Sequence, residues 1–200
     1  MSNKKEIKCF GHTLYKFRCH ETIYKNKILN NAINELLESD YAKNHNYHEG
    51  VGNTFTTCGG EVSILDYSDE TLELTNWIKD KIISIGRVEN LKRKDIQFTR
   101  NWVNKMSFGS SGEVHTHSEH DGDAVAIFYL KNSEYGSKLV IVNDSKKNCK
   151  NYFDYDSSDL RLIDTNEGDL VIHDINVTHA VSEHKSKEPR ICLIFEFKIL

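Results

Sequence analysis

Two hundred residues, 38% of them hydrophobic and 28% charged, suffice for one domain to bury a sizeable core without disulfide or metal staples, and no apolar run approaches the roughly 18 to 20 residues of a membrane span. A formal net charge of -4, from 26 Lys and Arg against 30 Asp and Glu, argues against a nucleic-acid partner. The N-terminal residues carry no apolar signal region and the five cysteines are scattered, as expected of a cytoplasmic protein with reduced thiols; ten histidines and one proline are the unusual counts.

In chain order, Ile28, Leu29, Ala32, Ile33, Leu36 and Leu37 recur with helical spacing and predict an amphipathic helix from about Tyr24 to about Lys43. A loop with Gly50, Gly52, Gly59 and Gly60 follows. Leu74, Trp77, Ile78, Ile82 and Ile85 predict a second helix from about Asp69 to Ile85, with Ser68 as cap and Gly86 as terminator. From Phe98 the pattern changes to short runs rich in β-branched and aromatic residues: Phe98 to Met106, Ala124 to Leu130, Lys138 to Val142, Leu160 to Ile163, Asp169 to His173 and Arg190 to Lys198. Helices followed by strands predict an α+β chain with a mainly β core and helices packed on one side. The chain reads as a single domain over 1–200, with a support region at 1–97 and the core at 98–200. Between the strands, Asn143 to Asp159 is a long polar stretch whose Tyr152, Phe153 and Tyr155 suit either a lid or binding loop or a surface excursion.

The chemistry concentrates in two places. In Gly112-Glu113-Val114-His115-Thr116-His117-Ser118-Glu119, residues i and i+2 of a strand share a face, so His115 and His117 can present two imidazoles to one ion. Downstream, Gly168-Asp169-Leu170-Val171-Ile172-His173 and a turn lead to His179, the arrangement by which a jelly-roll barrel delivers its last metal ligand. Eleven residues further, Arg190 opens the final strand, on which Arg190, Cys192, Ile194 and Glu196 share one face and Ile191, Leu193, Phe195 and Phe197 the other. Pro189 favours an extended entry into that strand. His120, His173 and His184 lie near these motifs and read as solvated loop or strand-end histidines, and Trp102 as a core residue.

Gly59-Gly60, Asn101-Trp102-Val103-Asn104, Gly112, His115-Thr116-His117, Phe128-Tyr129-Leu130, Gly168-Asp169-Leu170, His179-Ala180-Val181 and Arg190-Ile191 stand in an order that resembles the 2-oxoglutarate and Fe(II)-dependent dioxygenases, in particular their small phage and bacterial branch. The likeness runs from about Val51 to the C-terminus. It implies a double-stranded β-helix, the jelly roll. It also implies Fe(II) held by protein donors at an open facial site, with 2-oxoglutarate as cosubstrate. His115, His117 and His179 are the implied metal ligands. The family pattern is H-x-D/E where this chain has H-x-H, so Glu119 in place of His115, or water as third ligand, are alternatives. Arg190 maps to the arginine that grips the far carboxylate of 2-oxoglutarate, Tyr129 to a tyrosine that hydrogen-bonds it, and Asn104 faces the pocket.

Two other readings compete. A cupin-type metalloenzyme without 2-oxoglutarate fits the spacing of Gly109, His115, His117, Asp121, Gly168 and His179, but leaves Arg190 without a role. A non-catalytic jelly-roll binding module needs only that the histidines cluster by accident. The leading expectation is a hydroxylase that couples 2-oxoglutarate decarboxylation to oxidation of a small molecule or a protein side chain. Its pocket walls are expected from the glycine-rich loop, the 143–159 loop and the first helical region.

Overall fold

The computed structural model of the protein describes residues 4–39, 54–57, 63–66, 69–143, 145 and 149–200. Strands β1 (Lys5–Cys9) and β2 (His12–Arg18) form a hairpin that composition and periodicity did not announce. Its signal is Phe10-Gly11, both with positive φ, the two-residue loop whose twist matches that of paired strands. The first predicted helix is α2 (Lys27–Glu38), and a short α1 (Glu21–Tyr24) precedes it. Asn26 breaks them, its Oδ1 accepting from the backbone N–H of Ile28 and Leu29 as an N-cap. Leu29, Ala32, Ile33, Leu36 and Leu37 are buried as expected, while Ile28 faces solvent. The expected continuation to Lys43, the glycine-rich loop at Gly50, Gly52, Gly59 and Gly60, and the Ser68 cap lie outside the described residues. Helix α3 (Asp69–Ser84) ends where Gly86 adopts φ +72°.

The remaining strands are β3 (Thr54–Thr56), β4 (Ile96–Met106), β5 (Gly112–His115), β6 (Ala124–Lys131), β7 (Leu139–Val142), β8 (Leu160–Ile163), β9 (Asp169–Asp174), β10 (His179–Val181) and β11 (Arg190–Ile199). They form two antiparallel sheets, ordered β1-β2-β9-β6-β11-β4-β3 and β5-β10-β7-β8. This is the expected jelly roll, with β1, β2 and β3 from the first half of the chain extending the larger sheet.

Strand alternation sorts the side chains into layers. On the outer face of the large sheet, Ala126, Phe128, Leu193 and Phe195 pack with Leu29, Ile33 and Leu36 of α2 and Leu74 and Ile78 of α3. Burying each such Leu or Phe stabilises by about 1.5–3 kcal/mol relative to exposure. Between the sheets lie Val125, Ile127, Tyr129, Cys192 and Ile194 from one side and Leu139, Ile141 and Ile163 from the other. The outer face of the small sheet is covered from the long connection after β7. Its Tyr155 packs on Val140, Val142 and Ala180, and the Tyr155 hydroxyl accepts from Cys149 N–H at 3.0 Å. This connection therefore backs the small sheet, because its aromatics found an uncovered apolar face there; Phe153 alone of the three is left exposed.

One turn fixes β9 and, through it, the histidine that follows. Gly168 has φ +83°, and a Cβ there would stand 2.5 Å from the Tyr24 ring, so the chain enters β9 through a position closed to every other residue type. Among the described residues no helix is long and apolar enough to cross a membrane.

Candidate metal centre

The layer between the sheets also holds polar side chains. On β11, Arg190, Cys192, Ile194 and Glu196 face inward, and antiparallel register sets neighbours beside each. Arg190 lies opposite Met106; Cys192 lies between Asn104 and Tyr129, Ile194 between Trp102 and Ile127, and Glu196 between Arg100 and Val125. The three histidines approach from the facing sheet and its loops. His179 on β10 pairs directly with His115 on β5. The strand ends at His115, so His117 reaches the group from a bend and not, as the i/i+2 reading assumed, from the strand itself.

Donor atoms of His115, His117 and His179 all lie within 4.8 Å of one another. Their ring centroids are 4.4 Å apart for His115 and His179, 5.1 Å for His115 and His117, and 5.2 Å for His117 and His179. His115 Nδ1 lies 2.9 Å from the Glu113 carbonyl and His179 Nδ1 2.9 Å from the Val177 carbonyl. A carbonyl only accepts, so both rings carry their proton on Nδ1 and leave Nε2 as a lone pair. Glu119 is exposed on the turn and joins no set of close donors among the described residues.

A second close set joins His117 and His120 to Glu196. The Glu196 Oε1 is 2.7 Å from His117 Nδ1, 3.0 Å from His120 Nδ1 and 3.4 Å from Arg100 Nη1. Burial pushes this carboxyl up, but the hydrogen bond from His117 and the charge of Arg100 outweigh it, so its pKa lies below the ordinary value. Trp102 stands 5.7 Å from the His117 ring, its Nε1 buried without a partner, and is a wall of the site as well as core.

At the other end Arg190 is buried, not paired at the surface with Glu183 or Glu188. Its Nη1 donates to Met106 Sδ at 3.2 Å, its guanidinium lies 5.0 Å from the centre of the Tyr129 ring, and its Nε has no acceptor. No carboxylate pairs with it among the described residues. The Tyr129 hydroxyl likewise lacks a well-formed hydrogen bond among the described residues; burial raises it to about 12 although Arg190 pulls the other way. Asn104 Oδ1, from the adjacent row, is also buried and unpartnered. A buried cation beside an idle hydroxyl is costly unless an anion completes it. The three imidazoles and the buried guanidinium fit a divalent metal with a dicarboxylate: imidazole nitrogens suit Fe(II), and a bidentate guanidinium suits a carboxylate.

His173 and His184, expected to be solvated, are buried. His184 Nδ1 accepts from Ser137 N–H and its Nε2 faces the Glu188 carbonyl, so it ties loops together. The His173 ring lies 4.8 Å from that of His179, with Nε2 unpartnered. Burial lowers His173 to about 4 and His179 well below its ordinary value, with neighbouring imidazoles adding to the effect. Both are therefore neutral when folded, and the unfolded chain binds protons first as pH falls through about 6.5. The stability they contribute is complete above that value and is lost toward the folded value of about 4 for His173. From pH 7 to pH 5 the metal-free protein should lose about 2 kcal/mol through His173 alone. Urea midpoints at the two pH values measure this, and His173→Gln should flatten the difference; equal midpoints for the wild type would refute it.

Sequence reasoning missed Glu196 as a site residue, although an acidic residue inside the apolar run Ile191 to Phe197 was a usable signal. It missed His173 because strand-end histidines are commonly solvated.

A search of curated protein sequences finds no match. Among solved structures the chain is similar to HygX from Streptomyces hygroscopicus, solved with nickel and 2-oxoglutarate bound, at TM-score 0.58 and 14% identity, covering 86% of this chain and 78% of that one. It is similar to the α-ketoglutarate-dependent epimerase SnoN from nogalamycin biosynthesis at TM-score 0.66 and 10% identity, covering 93% and 76%. It is also similar to a Pseudomonas putida prolyl-4-hydroxylase at TM-score 0.56 and 14% identity, covering 94% of each chain. At such identities these establish the fold. A sequence profile of the family described as "Putative 2OG-Fe(II) oxygenase" matches residues 100–196. That segment contains Asn104, His115, His117, Tyr129, His179, Arg190 and Glu196, and over it the chain is similar to the 2-oxoglutarate- and Fe(II)-dependent oxygenases.

Proposed function

We propose that this oxygenase is a hydroxylase of a small molecule, working in the cytoplasm, with His115, His117 and His179 as its metal ligands and Arg190, Tyr129 and Asn104 as its 2-oxoglutarate site. The observation that carries the reading is the Arg190 guanidinium, buried on the inner face of β11 with no carboxylate partner among the described residues, in the same inter-sheet layer as the three imidazoles. When bound, Fe(II) and 2-oxoglutarate supply the oxygen-activating chemistry.

The chain's own residues bind, orient and exclude water. The carbonyls of Glu113 and Val177 fix two imidazoles with Nε2 free for the ion. Arg190 would receive the far carboxylate of the cosubstrate and the Tyr129 hydroxyl would donate to it, while Asn104, whose buried Oδ1 can only accept, would line the same site. Trp102, Ile127 and Ile194 form an apolar wall between the two polar ends and keep water from the reacting centre. A small-molecule substrate is supported by HygX, solved with hygromycin B bound, and hydroxylation by the prolyl-4-hydroxylase likeness. No observation favours the cupin reading, whose extra acidic ligand Asp121 is exposed and bound by Lys198 at 2.7 Å.

Anaerobic addition of Fe(II) and then 2-oxoglutarate should produce the weak visible charge-transfer band of a chelated complex. Oxygen should then give succinate, faster with substrate, and a product heavier by one oxygen atom. A fully metallated protein without the band would refute the cosubstrate assignment; succinate without oxygen insertion would refute hydroxylation.

A further inference from the structure

The three imidazoles are not supported alike. His115 and His179 each donate from Nδ1 to a backbone carbonyl two residues earlier, a local contact that comes with the strand. His117 sits on a bend where no such carbonyl serves it, and its Nδ1 is instead 2.7 Å from Oε1 of Glu196, 79 residues away. Glu196 has no solvent exposure and lies between Phe195 and Phe197, which pack on the helical side. The pairing of β11 with β4 shifts register between Glu196 and Phe197, an irregularity that re-aims a side chain. A carboxylate in such a place costs several kcal/mol unless it is held by donors. Its donors are His117 and Arg100, the His120 ring lies beside them with its Nδ1 also 2.6 Å from Arg100 Nη1, and its Oε2 stays without a partner.

We propose that Glu196 is the positioning residue of the metal centre, locking His117 as the Nδ1–H tautomer so that Nε2 faces the ion, and supplying from behind that ring the negative charge which a carboxylate ligand would otherwise supply directly. The inference rests on the reading of His115, His117 and His179 as ligands. It accounts for the H-x-H sequence: the carboxylate is displaced one shell outward, onto the last strand. Arg100 holds Glu196 from the solvent side, so its unshared oxygen is not needed to fasten it. A carboxylate behind a ligating imidazole orients the ring and raises its basicity, and loss of such a partner typically weakens metal binding about 10- to 100-fold.

The test uses the full chain in two measurements. In the metal-free wild type, long-range 1H–15N correlation spectra should show the His117 ring with its proton on Nδ1; a ring protonated on Nε2 would overturn the proposal without any variant. Glu196→Gln keeps an acceptor but removes the charge, and should weaken Fe(II) binding about tenfold in an anaerobic competition titration. Glu196→Asp should bind more tightly than Glu196→Gln. Glu196→Gln with wild-type affinity, while His179→Ala loses the ion, would overturn this inference alone. If His179→Ala kept its iron, the ligand assignment itself would fall. Two metal equivalents in the wild type and one in Glu196→Gln would mean that His117, His120 and Glu196 form a second metal site, which also overturns it.

Discussion

His179→Ala is expected to abolish stoichiometric Fe(II) binding and all turnover while leaving the barrel folded. His179 is the proposed ligand with least freedom: it is buried, it pairs with His115 on one neighbouring strand and Ile141 on the other, and its Nδ1 is held by Val177. Its lone pair is therefore preset, and burial keeps it neutral, so no proton competes with the ion at pH 7. Total binding energies of about 10–16 kcal/mol at four-ligand sites imply about 3 kcal/mol or more per donor, or over 100-fold in affinity. Fold loss is not expected, since the neighbouring Ala180 and Val140 retain their packing behind the strand. Anaerobic Fe(II) titration with circular dichroism as the folding control reads both. His117→Ala should behave similarly and Glu119→Ala should not, because Glu119 is exposed and outside the close donor set. Loss of iron in Glu119→Ala together with retained iron in His115→Ala would restore the two-histidine, one-carboxylate alternative, in which Glu119 replaces His115.

That ranking depends on something the sequence could not supply. The periodicity of the last strand separates Arg190, Cys192, Ile194 and Glu196 from the aromatics, and the structure keeps that division. The strands from residue 96 onward lie close to where β-branched runs and turn residues put them, because their patterning is local. What is not local was not legible. The contact of Glu196 with His117 depends on how a bend folds over a strand 79 positions later. The β1–β2 hairpin joins the large sheet by pairing with β9, some 150 residues on, and its own alternation is blurred by the half-buried Lys16. The break between α1 and α2 was visible in Asn26, but the apolar stripe of α2 outweighed it. The 143–159 connection reads as polar because its aromatics are few; only the assembled sheet shows the apolar face on which Tyr155 settles.

Arg190→Met is expected to remove 2-oxoglutarate binding while making the ligand-free protein no less stable, a pairing of effects that a structural arginine would not give. In most proteins a buried guanidinium is held by a carboxylate, and its loss strands that partner at a cost of about 3–5 kcal/mol. Here Arg190 contacts Met106 Sδ and the Tyr129 ring, so methionine fills the space and strands nothing charged. Desolvation of the wild-type cation, unrelieved by any acidic partner among the described residues, then disappears with the substitution. Cosubstrate binding should show the opposite. The far carboxylate loses a charge-assisted bidentate contact, and truncating one partner of such a buried pair costs about 2–5 kcal/mol, roughly 30- to 5000-fold in affinity. Arg190→Lys should be nearly as weak for 2-oxoglutarate, since an ammonium cannot match the planar fork. Fe(II) affinity without 2-oxoglutarate should be unchanged in both variants. Thermal unfolding gives the two quantities together: the midpoint of the metal-loaded protein without cosubstrate, and the rise on adding 2-oxoglutarate, which reports binding by mass action. A wild-type rise in Arg190→Met would overturn the assignment of Arg190. A much lower starting midpoint would show instead that the guanidinium holds the barrel together and does not serve an anion.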